Sequence, residues 1–331
     1  MTDLASMLSD LPGPDADAAD QVAARARTVL RPEGALARLD EVASWLAGWQ
    51  GSTAPRVTRP AATIFVADHG VAVEGVSAYP SEVTRSMLEA LRDGAATAAV
   101  MARSIGAALA VVDVGVGEPT ANLRTAPALG PDRFARSVEA GRKAVADLDA
   151  DLLVIGEMGI GNTTAAAAVS ATLFGGEVER WCGRGTGLDA EGLARKVAVV
   201  DDARRRVGAG AEPLEVLRQV GGAELAAIAG AVTEARRRSI PVVLDGYVAT
   251  AAVAPLELVA AGALDHCLSA HRSPEPGHGL LLARLGKQPL LDLDLRLGEG
   301  SGALAAVPLV RLAAASVTDV ATFEEWGLGP A

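Results

Sequence analysis

Aromatic residues are scarce: Phe, Trp and Tyr make up 3% of the 331 residues, although hydrophobic residues reach 50%. Ring stacking cannot build such a core, which must be filled by Ala, Val and Leu. Cysteine is nearly absent. Cys182 and Cys267 supply no disulfide framework and fit a reducing compartment. Neither has nucleophile-like support, and no GxSxG turn occurs, so acyl transfer through a covalent intermediate is not expected. Positive charge is in deficit, the formal net charge being -11. That balance argues against nucleic acid or an anionic membrane as partner. Two short runs, Arg204-Arg205-Arg206 and Arg236-Arg237-Arg238, read as solvated helix faces. Long apolar runs are missing too. The best one, Val248 to Leu264, is interrupted by Pro255 and Glu257, short of the ~18 or more apolar residues that a span needs. The start, MTDLASMLSDLPGPDADAAD, is acidic where an export signal is basic, so a cytoplasmic location is expected.

What is present is a series of six short, mostly apolar runs: ATIFVAD (62–68), ALAVVDVGV (108–116), LLVIGEM (152–158), PVVLDGY (241–247), HCLSAH (266–271) and QPLLDLDL (288–295). Ala-rich helical stretches separate most of them. Continuous apolar strands with helices between them predict an α/β, Rossmann-like fold: a six-stranded, mostly parallel sheet with helices on both faces. Residues 1 to about 20 read as loosely packed, and Gln21 to Gln50 as helical segments broken at Arg31-Pro32-Glu33-Gly34. Ala303 to Leu328 returns to helix. The expected division is an α/β catalytic domain, 61–302, with a small helical domain from 1–60 and 303–331.

Open parallel sheets bind ligands beyond the carboxyl ends of their strands. The loops leaving these strands read DHG (68–70), GVG (115–117), GEMGIGNTT (156–164), DGY (245–247), AHRSPEPGH (270–278) and RLGEG (296–300). In GIGNTT, Gly159 and Gly161 let backbone N–H groups approach an anion at a helix start; the competing reading is a glycine turn with Thr as N-cap. No Lys precedes the threonines, so it is not a Walker A loop. VDVGVG resembles a dinucleotide fingerprint but lacks the third glycine. His271, Glu275 and His278 could hold a metal, yet Pro274 and Pro276 between the histidines spoil a ligand face, and histidines bonded to loop backbone are the favoured reading. No metal and no cofactor are expected. Glu157 and Glu299 each follow a glycine near an apolar run. A carboxylate at a dry strand terminus has its pKa raised toward the range of a general base; the alternative for Glu299 is a cap on a helix starting near Ser301. The residues alone lead to a phosphorylated small-molecule substrate and acid–base catalysis.

The run ADHGVAVEGVSAYPSEVT, with GEMGIGNTT, LDGY and RLGEGSGA, resembles the nicotinate-nucleotide–dimethylbenzimidazole phosphoribosyltransferases of cobalamin lower-ligand synthesis. The resemblance covers nearly the whole chain. RPEGALARLDEVASWLAGWQ is similar to that family's KPPGSLGRLE segment, with Arg31, Glu33, Ala35, Ala37 and Asp40 departing from it. It implies transfer of the phosphoribosyl group of nicotinate mononucleotide to 5,6-dimethylbenzimidazole, and a homodimer. It further implies Glu299 as general base, with Glu157 and Lys196 as further catalytic residues. The nucleotide would lie against Gly159, Gly161, Asn162, Thr163, Asp245, Gly246, Ser273, Arg296 and Gly298. The base would lie among Tyr79, Met87, Met158 and Leu297. The family carries a glutamine shortly after the Val-Thr pair, whereas this chain reads Val83-Thr84-Arg85-Ser86-Met87, which bears on base preference. Two rival readings are an NAD(P)-binding oxidoreductase, leaning on VDVGVG, and a nucleotide-binding sensor without turnover.

Overall fold

Six runs of branched apolar residues become six strands of one sheet in the computed structural model, which describes residues 4–328. They are β1 (Pro60–Val66), β2 (Ala108–Asp113), β3 (Leu152–Met158), β4 (Val242–Leu244), β5 (Cys267–His271) and β6 (Pro289–Leu291). Every pairing is parallel, in the order β2-β1-β3-β4-β5-β6. The winding direction reverses between β1 and β3, where a crevice is expected beyond the carboxyl ends.

Period-two alternation assigns each strand side chain to a layer. Phe65, Leu153, Ile155, Val242 and Leu244 face one way, into a core shared with the helices Asn162–Phe174, Ala223–Arg237 and Tyr247–Val259. Ile64, Val66, Leu152, Val154 and Val243 face the other way, toward the helices Arg38–Gln50 and Ser301–Thr318. The Ala-rich helices let backbones come close with few aromatic spacers, as the composition requires.

The terminal segments meet each other and the sheet. Val29 bridges Thr322, and Leu30 N–H donates to Ala321 O at 2.9 Å. Val22, Val42 and Leu46 share one apolar cluster with Ile64, Val154, Val307 and Val310, so the helices Ala16–Ala26, Arg38–Gln50 and Ser301–Thr318 pack as a layer on one face of the sheet, while Leu4, Met7 and Leu8 join the cluster on the other. Residues 1–3 and 329–331 of those segments lie outside the described residues. Residues 4–20 are not loosely packed as expected: Leu4, Met7 and Leu8 are buried, and a helix runs Ala16–Ala26 behind an Asp15 cap. Nor is Arg236 on a solvated face. It is buried, with its guanidinium 4.2 Å from the Trp49 ring centroid. One described helix, Ser301–Thr318, is long and apolar enough by composition to cross a membrane; it carries Arg311 and packs in the second core cluster.

The departures from the KPPGSLGRLE pattern have structural correlates. Arg31 and Asp40 pair with each other, and Arg31 also donates to Ser316 O at 2.8 Å. Ala37, at a position where that pattern has glycine, takes φ 26° and ψ −90°. A side chain with a Cβ is strained there, at roughly 1–3 kcal/mol, against roughly 0.5–1 kcal/mol for the extra freedom of an unfolded glycine. Ala37→Gly is therefore expected to raise stability by about 1 kcal/mol, read as a higher urea midpoint at unchanged m-value.

Candidate active site

The segments following β1, β3, β4, β5 and β6 converge on a cavity of about 420 Å³, in the usual range for a small-molecule site. Four other depressions lack such a set of buried carboxyls. One, at the amino ends of β1, β3 and β4, is lined by Arg56 and Arg59, which are paired with Asp319 and Asp149.

The Glu299 turn is built by close approach. A Cβ on Gly156 would lie 2.4 Å from Gly300 N, so two glycines let the turn cross against β3. Gly298, Glu299 and Gly300 have φ of 83°, 61° and 77°. A glutamate in this left-handed region is strained, and such strain persists only where neighbours over-determine it. Those neighbours are explicit. Glu299 N–H donates to Glu157 O at 3.0 Å, and the N–H groups of Gly300 and Ala303 donate to Asp245 Oδ2 and Oδ1 at 3.1 and 3.0 Å. Asp245, not Glu299, thus caps the helix that starts at Ser301. Glu299 Oε2 instead faces the N–H of Ala98, in the first turn of the helix Thr97–Ser104, at 3.5 Å.

The opposite wall is the GIGNTT segment. Thr is not the N-cap there: Gly161 holds that position at φ 99°, and no side chain caps the helix Asn162–Phe174. Its N-terminus thus meets the cavity at Asn162 and Thr163. Asn162 Nδ2 donates to Glu157 Oε2. Below the segment, His69 pairs with Glu224, both side chains fully buried, and a Cβ on Gly159 would come within 3.2 Å of His69 Nε2.

Of the residues expected for the nucleotide, Gly159, Asn162, Thr163, Asp245, Gly246, Ser273, Arg296 and Gly298 reach the cavity wall, as do Glu157 and Glu299. The residues expected around the base, Tyr79, Met87, Met158 and Leu297, also line it. Tyr79 and Leu297 are more than half exposed, at 55% and 52%, which puts them at its mouth. Two expected residues stand behind the wall. Gly161 is one. The other is Lys196, fully buried, whose Nζ donates to Thr163 Oγ1 at 2.9 Å and to Gly183 O at 3.1 Å.

Sequence reasoning missed the segment Gly183–Gly187. Gly185 N–H donates to Glu275 Oε1 at 2.8 Å, and Thr186 Oγ1 accepts from Ala78 N–H at 3.1 Å, beside Tyr79. Its signal, CGRGTG, was visible, but it leaves no strand, so a search of strand ends passes it by. The histidine loop is hydrogen-bonded as favoured: His278 Nδ1 accepts from Ser273 N–H at 3.0 Å, and burial holds its pKa down at about 3. The VDVGVG loop has no free cradle for a pyrophosphate. Val116 N–H donates to Asp113 Oδ1 at 2.8 Å and Gly117 N–H to Asp68 Oδ2 at 2.7 Å.

A phosphoribosyltransferase family profile matches residues 11–328. The chain is 46% identical over 319 residues to the nicotinate-nucleotide–dimethylbenzimidazole phosphoribosyltransferase of Cereibacter sphaeroides, covering 96% of this chain and 94% of that one. It is 47% identical to the Mesorhizobium japonicum protein of the same name, over 99% of this chain and 98% of the relative. The crystal structure of CobT from Thermus thermophilus matches with a TM-score of 0.91 at 44% identity, covering 95% of this chain and 99% of that chain. This chain belongs to the nicotinate-nucleotide–dimethylbenzimidazole phosphoribosyltransferase family.

In this phosphoribosyltransferase the cavity concentrates buried acid. Burial pushes the Glu157 carboxyl well above its ordinary value; Asp245 and Glu224 push it further, against the Asn162 hydrogen bond. Burial also raises Glu299, opposed by the Ala98 N–H. Lys196 is lowered by burial, with Glu275 opposing. Both cysteine thiols are pushed up to about 12 by burial and stay protonated. For a raised carboxyl, the folded chain keeps a proton that the unfolded chain has released. Its contribution to stability is complete below pH 4.5, the ordinary value for glutamate, and is lost as pH rises through the folded pKa. Glu157→Gln should flatten that fall, and urea midpoints of both proteins across a pH series above 4.5 will show it.

Proposed function

We propose that the chain transfers the phosphoribosyl group of nicotinate mononucleotide to 5,6-dimethylbenzimidazole, giving α-ribazole 5′-phosphate and nicotinate, in cobalamin nucleotide-loop assembly. One observation carries the reading: Glu299 is held at the cavity between an uncapped helix N-terminus and an apolar wall. The 5′-phosphate lies at the Asn162–Thr163 end, where the helix dipole favours an anion. The base is placed against Tyr79, Met87, Met158 and Leu297. One benzimidazole nitrogen attacks the anomeric carbon while the bond to the pyridinium breaks, its electron pair returning to the ring nitrogen. The other benzimidazole N–H gives its proton to Glu299. A charged leaving group needs no acid on the nicotinate side.

Glu157 has a different part. Burial favours its neutral form, in which it donates a hydrogen bond rather than taking a proton. Lys196 acts from behind, fixing Thr163 and Gly183. Apolar side chains left exposed on the terminal segments, Leu36, Leu312 and Trp326 among them, support a homodimer. Sedimentation at micromolar concentration is expected to give twice the 33.6 kDa chain mass.

Incubating the protein with nicotinate mononucleotide and dimethylbenzimidazole and following nicotinate release tests the reaction. Binding of the mononucleotide without release would make the protein a sensor. Glu299→Gln keeps the shape and removes the proton acceptor. It should lower kcat by roughly 10²–10⁴-fold, or ~2.7–5.4 kcal/mol in the barrier, with nucleotide affinity little changed. Because Asp245 is the cap, the melting temperature should also hold. A variant within about tenfold of the parent rate ends the assignment.

A further inference from the structure

His271 ends β5 and lines the cavity, yet its side chain is only 5% exposed. Its ring is boxed in by backbone. A Cβ on Gly302 would fall 2.2 Å from its Cδ2, and one on Gly246 would fall 3.3 Å from its Nε2. In that position Nε2 faces Asp245 Oδ1 at 3.5 Å. The same Oδ1 receives the N–H of Ala303, and Oδ2 receives the N–H of Gly300, the residue after Glu299. Two backbone N–H groups thus bond one carboxyl that is itself 1% exposed, and the His271 ring nitrogen stands beside it at 3.5 Å. The two hydrogen bonds replace hydration contacts that burial has removed.

We infer that His271 is a positioning residue for Glu299, acting through Asp245. Glu299 sits in a strained left-handed conformation, φ 61°, that its own residue type does not favour. It therefore depends on the contacts around it, and the Asp245 carboxyl is the contact on its C-terminal side. The imidazole fixes the rotation of that carboxyl. Without it Asp245 has only the two backbone donors, and it can turn to find a third, taking the Gly300 amide with it. A proton acceptor must lie within about 2.6–3.2 Å of the proton it takes, so a displacement of the turn is felt in the rate. The Nε2–H tautomer suits the role, because a carboxylate beside it can only accept.

The inference rests on Glu299 being the base, and the test separates the two claims. His271→Ala should lower kcat about 10- to 100-fold, the scale of misplacing a reacting group by an ångström. KM for nicotinate mononucleotide should stay within about threefold. His271→Gln, which can still offer an N–H to Asp245, should recover part of the loss. Gly302→Ala, which drives the ring aside without removing it, should reproduce the loss if His271→Ala does not fold. The decisive arm is the double variant. In a Glu299→Gln background His271→Ala should cost less than about threefold more, since the group it positions is gone. Equal losses in both backgrounds, or a loss carried by KM, overturn the positioning role while the reaction assignment stands. A Glu299→Gln enzyme at the parent rate, or a parent chain without turnover, removes the base or the reaction, and the inference with it.

Discussion

The site depends on one contact, the backbone crossing of Gly156 and Gly300. Nothing larger than hydrogen fits on Gly156 at that point, and only there can the turn after β6 reach the end of β3. The crossing sets Glu299 N–H on the carbonyl of Glu157. It also delivers the start of the helix Ser301–Thr318 to Asp245, at the end of β4. Three elements far apart in sequence are joined by backbone groups, so side chains at the same points are free to meet a ligand.

Much of the fold was readable because strands buried on both faces carry little but branched apolar residues, and all six runs became strands. The convergence of the segments after β1, β3, β4, β5 and β6 followed from parallel connectivity, whereas the GVG loop after β2, expected to join them, stays off the cavity wall. What could not be read has physical causes. The role of Asp245 as cap required knowing that a residue after β4 lies beneath a helix start some 55 positions later. Lys196 lies on a helix, and no local pattern says which neighbour its ammonium will meet. The buried N-terminal residues Leu4 and Met7 are hidden by an acidic, Pro-rich surrounding sequence, and the core that receives them is formed by later elements. Arg236 was misjudged because a triple-arginine run looks uniformly wet, although the helix turns one member inward onto Trp49.

Three buried carboxyls line the cavity, and a buried ammonium stands just behind its wall. Glu157, Asp245 and Glu299 lie within a few residues of glycines that let the backbone close around them, and the raised carboxyls of Glu157 and Glu299 are the electrostatic result. Lys196 is tied to Thr163 and Gly183.

The Glu299 turn has a consequence for how the protein comes into being. Its partners are Ala98, Glu157 and Asp245, with 201 residues separating Glu299 from Ala98. Contacts of such separation close late in folding, after the local helices and the inner strands. On the ribosome all six strands emerge before Gly298–Gly300, so this turn is the last part of the cavity wall to be made. The helix Ser301–Thr318 follows the turn directly and covers one face of the sheet, so the turn closes only as that core layer forms.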